Sequence, residues 1–289
     1  MNELIQFKKQ RDLGEILTDT FKFIRLNFKP LFGMVFRLAG PALLLMVISF
    51  IYYNQSLMNS MGGGYYDNPF SLGVIVAILL LLICGIAYYS LLYGTILHYI
   101  KSYVNNKGEV KREEVVQGIR QNFWSIIGVS ILVGLISFAG FVLCFFPGVY
   151  FAVVLLSAYA IHIYEKRDVT DSISHCFQLI KGEWWITFAT ILVMGIIYYI
   201  VVLIAQVPQW IYFFARGFTM ADQFSMDPTE MFDWGSTILS AVGMVVQYLM
   251  QSLLVITSAF IYFNLNEKKN FSGTMETIET LGNREDEII

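Results

Sequence analysis

Residues 72–100 read LGVIVAILLLLICGIAYYSLLYGTILHYI, from Leu72 to Ile100, without one Asp, Glu, Lys or Arg. About 20 apolar residues in helical form cross the roughly 30 Å of hydrocarbon in a bilayer, and this run exceeds that. Hydrocarbon offers the backbone no water to bond, so the segment must satisfy its own N–H and C=O groups as a helix. Working outward, apolar segments recur at about 31–53, 124–144, 149–164, 185–206 and 236–264. The fourth in chain order is short, and the second and sixth are long enough to tilt or to project beyond the hydrocarbon. The fold class read from this pattern is all-α: a polytopic integral membrane protein with six transmembrane helices.

Composition agrees with a chain whose solvent is lipid. Of 289 residues 56% are hydrophobic and 14% charged, with mean hydropathy +0.61, against about a quarter charged in a soluble domain. Net charge is −3, which gives no reason to expect nucleic acid as a partner. Residues 1–11 are polar and the first apolar run lacks a small-residue cleavage site, so no secretory signal is expected. Cys84, Cys144 and Cys176 lie far apart and are read as buried, inert thiols.

Charge sets the expected orientation. With six spans, segments 54–71, 145–148 and 207–234 share one side, and both termini share the other with loops 101–123 and 165–184. Of the 19 Lys and Arg, all but Arg216 fall on the side of the termini, which places that side in the cytoplasm by the positive-inside rule. The opposite side carries Asp67, Asp222, Asp227, Glu230 and Asp233. The localisation read from this is the bacterial inner membrane, multi-pass, with N- and C-termini cytoplasmic. Phe145-Phe146-Pro147-Gly148 is expected to turn the chain tightly between the third and fourth spans. Tyr65, Tyr66, Trp210, Tyr212 and Phe213 are expected at the outer interface, the first two after the mobile run Gly62-Gly63-Gly64.

A threefold internal repeat precedes the first, third and fifth spans. Its copies are Ile24-Arg25-Leu26-Asn27-Phe28, Ile119-Arg120-Gln121-Asn122-Phe123 and Ile180-Lys181-Gly182-Glu183-Trp184. Each ends an amphipathic stretch; Leu13, Leu17, Phe21, Ile24 and Phe28 recur at helical steps, as do Val169, Ile173, Phe177, Ile180 and Trp184. Acidic residues open each stretch and a base closes it, which suits the helix dipole. The expected architecture is three parallel units, about 12–100, 111–165 and 168–264, each a cytoplasmic in-plane helix and a transmembrane hairpin. Together 1–264 make the membrane domain, and 265–289 are read as a polar cytoplasmic tail.

Arg25, Arg120 and Lys181 are candidate contacts to lipid phosphates or to a partner's acidic surface; the plainer alternative is a headgroup anchor. Arg37, near Gly40-Pro41, is either an embedded charge or, if the first span begins later, an interfacial one. The spans otherwise hold no Asp, Glu, Lys or Arg, which argues against a coupled pump. His98, His162 and His175 are read as separate interfacial histidines, and the acids of 222–233 as a solvated loop rather than a calcium site. No metal, cofactor or catalytic motif is expected; Asp171, Ser172 and His175 are successive positions on one helix, without a base or oxyanion donor. Ser90 with Gly94, and Ser130 with Gly134, have the small-xxx-small spacing of close helix packing, and no oligomeric state follows from it.

The run Phe146-Pro147-Gly148-Val149-Tyr150, then Glu165, Asp171-Ser172-Ile173 and Gln178-Leu179-Ile180-Lys181-Gly182-Glu183-Trp184, resembles a bacterial membrane family. That family includes the membrane domain attached to some glycerophosphodiester phosphodiesterases, and standalone six-helix inner-membrane proteins. The ending Tyr262-Phe263-Asn264-Leu265-Asn266-Glu267-Lys268-Lys269 looks like the family's exit from its last span. The resemblance implies a six-helix fold with cytoplasmic interfacial helices. It carries over no catalytic residue, because in the fused enzymes catalysis belongs to a separate soluble domain. The resulting expectation is a non-catalytic scaffold or accessory module, its partners being membrane lipids and a protein at the cytoplasmic face. The alternative is a lipid or amphiphile transporter, motivated by repeat symmetry and by Tyr88, Tyr89, Tyr93, Tyr198 and Tyr199 in uncharged spans.

Overall fold

Asp12 and Glu15 start the first helix by exchanging hydrogen bonds. The Glu15 N–H donates to Asp12 Oδ1 at 2.7 Å, and the Asp12 N–H donates to Glu15 Oε2 at 3.1 Å. That reciprocal cap satisfies two backbone donors with no helical partner. The computed structural model describes residues 4–61, 71–221, 234–273, 275 and 278. The glycine run 62–64, Tyr65, Tyr66, Asp67, the acids of 222–233 and most of 274–289 lie outside the described residues.

In chain order the helices are α1 (Leu13–Leu38), α2 (Gly40–Met61), α3 (Leu72–Asn105), α4 (Arg112–Leu143) and α5 (Phe145–Val154). A 3-10 turn (Leu155–Ser157) leads to α6 (Ala158–Glu165), followed by α7 (Val169–Leu179), α8 (Trp184–Ala221) and α9 (Trp234–Asn270). No strand occurs among the described residues. Six stretches are long and apolar enough to cross a membrane: Gly40–Leu57, Leu72–Asn105, Arg112–Leu143, Phe145–Glu165, Trp184–Phe218 and Trp234–Asn270. The chain is a multi-pass helical membrane protein.

Several boundaries differ from expectation, each for a local reason. The first span begins at Gly40 rather than near 31, because α1 stops at Leu38 ahead of Pro41. Arg37 therefore sits exposed in the last turn of α1, outside the span. The α4–α5 turn is made by Cys144 alone, in extended conformation (φ −173°, ψ 156°). Phe145 to Gly148 form the first turn of α5, where the missing N–H of Pro147 leaves no helical bond unmade. The fourth span thereby lengthens to 21 residues. Gly140 and Gly148 let the two helices close, since a Cβ on Gly140 would lie 3.0 Å from Gly148 Cα. The helix expected to end near 206 runs through Pro208 to Ala221, so Arg216, Trp210, Tyr212 and Phe213 are helical. At 38 residues α8 is about 57 Å long, well over the hydrocarbon thickness.

The amphipathic stretches also differ among themselves. The first lies in α1 and the third in α7, each broken from the following span, at Ala39 and at 180–183 respectively. Gly182 has φ +88° there, a left-handed conformation that glycine adopts without strain. The second stretch has no such break and continues directly into α4. On α1 the expected apolar stripe is not the buried one: Ile16, Thr20, Phe23, Asn27, Leu31 and Val35 face the protein, while Phe21 and Phe28 are exposed. The helix thus carries two apolar faces, one packed and one open.

Contacts divide the chain into two compact units. Unit one comprises Met1–Val35, Ser90–Gly195 and Leu253–Ile289; unit two comprises Phe36–Tyr89 and Ile196–Ser252. Within unit one, residues 4–12 are irregular yet buried in part, a placement the polar composition concealed. Phe7 is stacked on Phe260 at 4.5 Å and meets Phe23 edge-on at 5.3 Å. The Ile5 N–H donates to the Tyr103 hydroxyl (3.1 Å), and the Arg11 N–H donates to Asn264 Oδ1 (2.8 Å). The boundary expected at 264/265 falls inside α9: Leu265 and Glu267 are buried, and Glu267 Oε2 accepts the Gly273 N–H at 2.7 Å.

Within unit two, neutral groups make hydrogen bonds between helices. The Tyr88 hydroxyl donates to the Tyr248 carbonyl at 2.8 Å, and the Tyr89 hydroxyl to Gln251 Oε1 at 3.1 Å. Leu44, Leu82 and Ile83 of this unit are exposed, as lipid-facing side chains are.

Candidate functional site

Within unit one, the C-terminal part of α3, with α4 and α6, lines a polar cavity of about 640 Å³. Its floor is made by two buried histidines, His98 of α3 and His162 of α6. Its rim carries Glu114, Gln117 and Gln121 of α4 and Lys166, Arg167 and Asp168 between α6 and α7, all exposed.

Hydrogen bonding sets the tautomer of each histidine. His98 Nδ1 lies 2.8 Å from the Gly94 carbonyl, which only accepts, so Nδ1 holds the proton. The bare Nε2 then accepts from Asn122 Nδ2 at 3.3 Å. Gly118 makes this possible, because a Cβ there would lie 2.2 Å from His98 Cδ2. His162 Nδ1 lies 2.7 Å from the Arg167 carbonyl and donates to it by the same logic. Its Nε2 is buried and has no hydrogen-bond partner among the described residues. The separate interfacial histidines expected at 98 and 162 are thus one buried pair in one cavity. Helical spacing relates residues along a chain and does not reveal that α3 and α6 face a common space.

Charged groups around the cavity are partly committed. Lys101 Nζ donates to the Ile163 carbonyl at 2.5 Å. Arg167 Nε donates to Glu165 Oε2 at 2.6 Å, and Glu165 also accepts from the Tyr262 hydroxyl at 3.1 Å. Glu114 accepts from Ser102 Oγ (2.8 Å) and Asn106 Nδ2 (2.9 Å). Lys166, at φ +54° just beyond α6, forms no ion pair among the described residues. The cavity can therefore hydrogen-bond and attract charge. The Ser172 hydroxyl donates to the Asp168 carbonyl at 2.8 Å and Asp171 is exposed, so Asp171, Ser172 and His175 form no relay. His175 Nε2 instead lies 3.5 Å from Glu165. No group of three or more His, Cys, Asp or Glu suited to a metal ion occurs among the described residues.

The four basic residues singled out from sequence, Arg25, Arg37, Arg120 and Lys181, are exposed and do not line this cavity. None forms an ion pair among the described residues. More informative are the polar residues two places after three of them. Asn27 Oδ1 accepts the Tyr99 hydroxyl (3.1 Å), Asn122 reaches His98, and Glu183 accepts Lys268 Nζ (2.7 Å). Asn27 and Asn122 tie α1 and α4 to α3, and Glu183, in the turn before α8, is tied to α9.

The residue that sequence reading missed altogether is Arg11, whose side chain is fully buried. Its Nε donates to Asp19 Oδ2 at 2.9 Å, its Nη1 to the Phe7 carbonyl at 2.7 Å, and its guanidinium lies 4.9 Å above the Phe260 ring. Burial lowers its pKa from the ordinary arginine value, and Asp19 pushes back. The available signal was Ile5 and Phe7 alternating in a polar run. Of the cysteines, only Cys176 is buried; Cys144 is exposed at the hairpin turn and Cys84 half-buried, so the expectation of three buried thiols holds for one. Burial, with Glu165 adding to it, pushes the Cys176 thiol up to about 12. Compared with protein-family models, curated proteins and solved structures, the chain gives no match.

Proposed function

We propose that this chain is a non-catalytic module of a bacterial cytoplasmic membrane that docks a protein partner on its cytoplasmic side, in the service of an envelope or membrane-protein process. In this reading both termini are cytoplasmic, with α1 and α7 along the inner leaflet. The observation that carries it is the set Arg25, Arg37, Arg120 and Lys181: exposed, without ion pairs among the described residues, and near the ends of the amphipathic stretches. Such cations are available to lipid phosphates and to an acidic partner surface. A threefold repeat belongs to the same proposal, supported by the use of Asn27, Asn122 and Glu183, at equivalent positions, in polar contacts to other helices. So does kinship with the membrane domain of glycerophosphodiester phosphodiesterases, which rests on the sequence resemblance alone. Purification in mild detergent is expected to recover a stoichiometric partner, released when Arg25, Arg120 and Lys181 are changed together to Glu. Repeated recovery of the protein alone would sink the reading.

The polar cavity favours a second reading, transport of a lipid or amphiphile. Proteoliposomes holding a fluorescent phospholipid test it: acceleration of its exchange between leaflets supports transport, and rates equal to empty liposomes exclude it.

A further inference from the structure

We propose that a groove of unit one, between the start of α1, the start of α8 and the end of α9, binds a phospholipid whose headgroup carries a primary amine. It goes beyond the docking reading and does not rest on it. The groove holds about 670 Å³, room for a lipid headgroup and the first part of its chains. Its apolar wall is Leu13, Trp185, Ile186 and Ala189, with Trp185 75% exposed. The last three of these open the stretch Trp184–Phe218, which is long and apolar enough to cross a membrane. An apolar surface at the end of a span meets lipid, and tryptophan there sits at the level of the headgroups. The occupant that fits this wall is a lipid chain.

The headgroup follows from the polar side of the groove. Arg11 brings no charge to it, because its side chain is fully buried and bonded to Asp19. Glu15 is engaged at both oxygens: Oε1 accepts from Lys9 Nζ at 3.2 Å and Oε2 from the Asp12 N–H at 3.1 Å. Asp12 is exposed and forms no ion pair among the described residues. Its Oδ1 accepts the Glu15 N–H at 2.7 Å, and its charge is left unmatched. A cation with N–H donors fits there, which a primary ammonium is and a quaternary one is not. Lys268 donates to Glu183 Oε2 at 2.7 Å, using one of its three N–H groups. The other two, with the exposed amide of Gln10, suit phosphate oxygens. A zwitterionic headgroup thus meets opposite charge twice, its ammonium at Asp12 and its phosphate at Lys268. A purely anionic headgroup would leave Asp12 unmatched.

Native mass spectrometry of the full chain in mild detergent tests this. Phosphatidylethanolamine, phosphatidylcholine and phosphatidylglycerol with the same acyl chains are supplied in equal amounts. The expected result is preferential retention of phosphatidylethanolamine. Asp12→Asn removes the charge but keeps an oxygen to cap α1, so the variant should fold as wild type. It should reduce the preference about fivefold, the upper range for an ion pair at an exposed position. Ala189→Phe fills the apolar wall and should lower retention of phosphatidylethanolamine by a similar factor. Glu113→Gln, at an exposed acid outside the groove, should leave it unchanged. Equal retention of the three lipids, or a preference for either of the other two, overturns the proposal. So does a preference that survives Asp12→Asn. None of these outcomes bears on recovery of a protein partner.

Discussion

The two units of this chain pair their polar groups with different chemistry. Unit one uses charge: Arg11 with Asp19, Glu165 with Arg167, and Glu183 with Lys268. Unit two has only Arg37 and Arg216 among its described ionisable acids and strong bases, and uses tyrosine and glutamine in their place. A neutral hydroxyl loses far less than a charge when it leaves water, so Tyr and Gln are tolerated where lipid surrounds the helices. Charges persist where each finds an opposite charge and backbone carbonyls together. Among the described residues, cations and two buried histidines line a common cavity in unit one.

The comparison breaks most visibly at Arg11. Arg11→Ala removes the partner of Asp19 and the guanidinium bonds to the Phe7, Lys9 and Gln6 carbonyls, and should lower stability by about 3 kcal/mol in detergent unfolding followed by circular dichroism. Gly140→Val, which forces apart α4 and α5 in the same unit, should cost about 2 kcal/mol by the same measurement. Tyr88→Phe, the counterpart in unit two, should cost only about 1 kcal/mol, because it deletes one neutral hydrogen bond. If Tyr88→Phe proves as damaging as Arg11→Ala, the contrast between charged and neutral bonding has no energetic meaning.

The smallest effect concerns the cysteines. Cys144 is exposed and should react with a maleimide in the intact protein, while Cys176 should react only on unfolding. Because the folded Cys176 pKa is raised, its contribution to stability is full below 9.0 and drains away as pH rises from there towards about 12. Thermal midpoints of wild type and Cys176→Ala should therefore converge over that alkaline range. A membrane-impermeant maleimide reaching Cys144 only from the cytoplasmic side would overturn the proposed orientation.

Much of the fold was legible because hydrocarbon length is a one-dimensional constraint. Leu72 to Asn105 and Trp234 to Asn270 announce themselves as long apolar helices. Boundaries were less legible where a proline has two meanings: Pro41 ends one helix and opens another, whereas Pro147 sits inside the first turn of α5. The candidate site was barely legible. His98, Gly118 and His162 are separated along the chain, and no periodicity relates them. The third and fourth spans show the same limit in packing: 17% of the third span's apolar window is buried and 56% of the fourth's. Two apolar stretches, one mostly exposed and one more than half buried, both read simply as spans in the string of letters.

What the sequence determined by itself is the solvent of this chain, its helical class and its six crossings, since each depends only on the local count of apolar residues. What the tertiary structure alone decided is which polar residues meet. The pairing of Arg11 with Asp19 and Asn264 and the shared cavity of His98 and His162 join residues brought together only when the helices pack. Hydrogen bonds and charges act over a few ångströms of space, and distance along the chain does not report that separation.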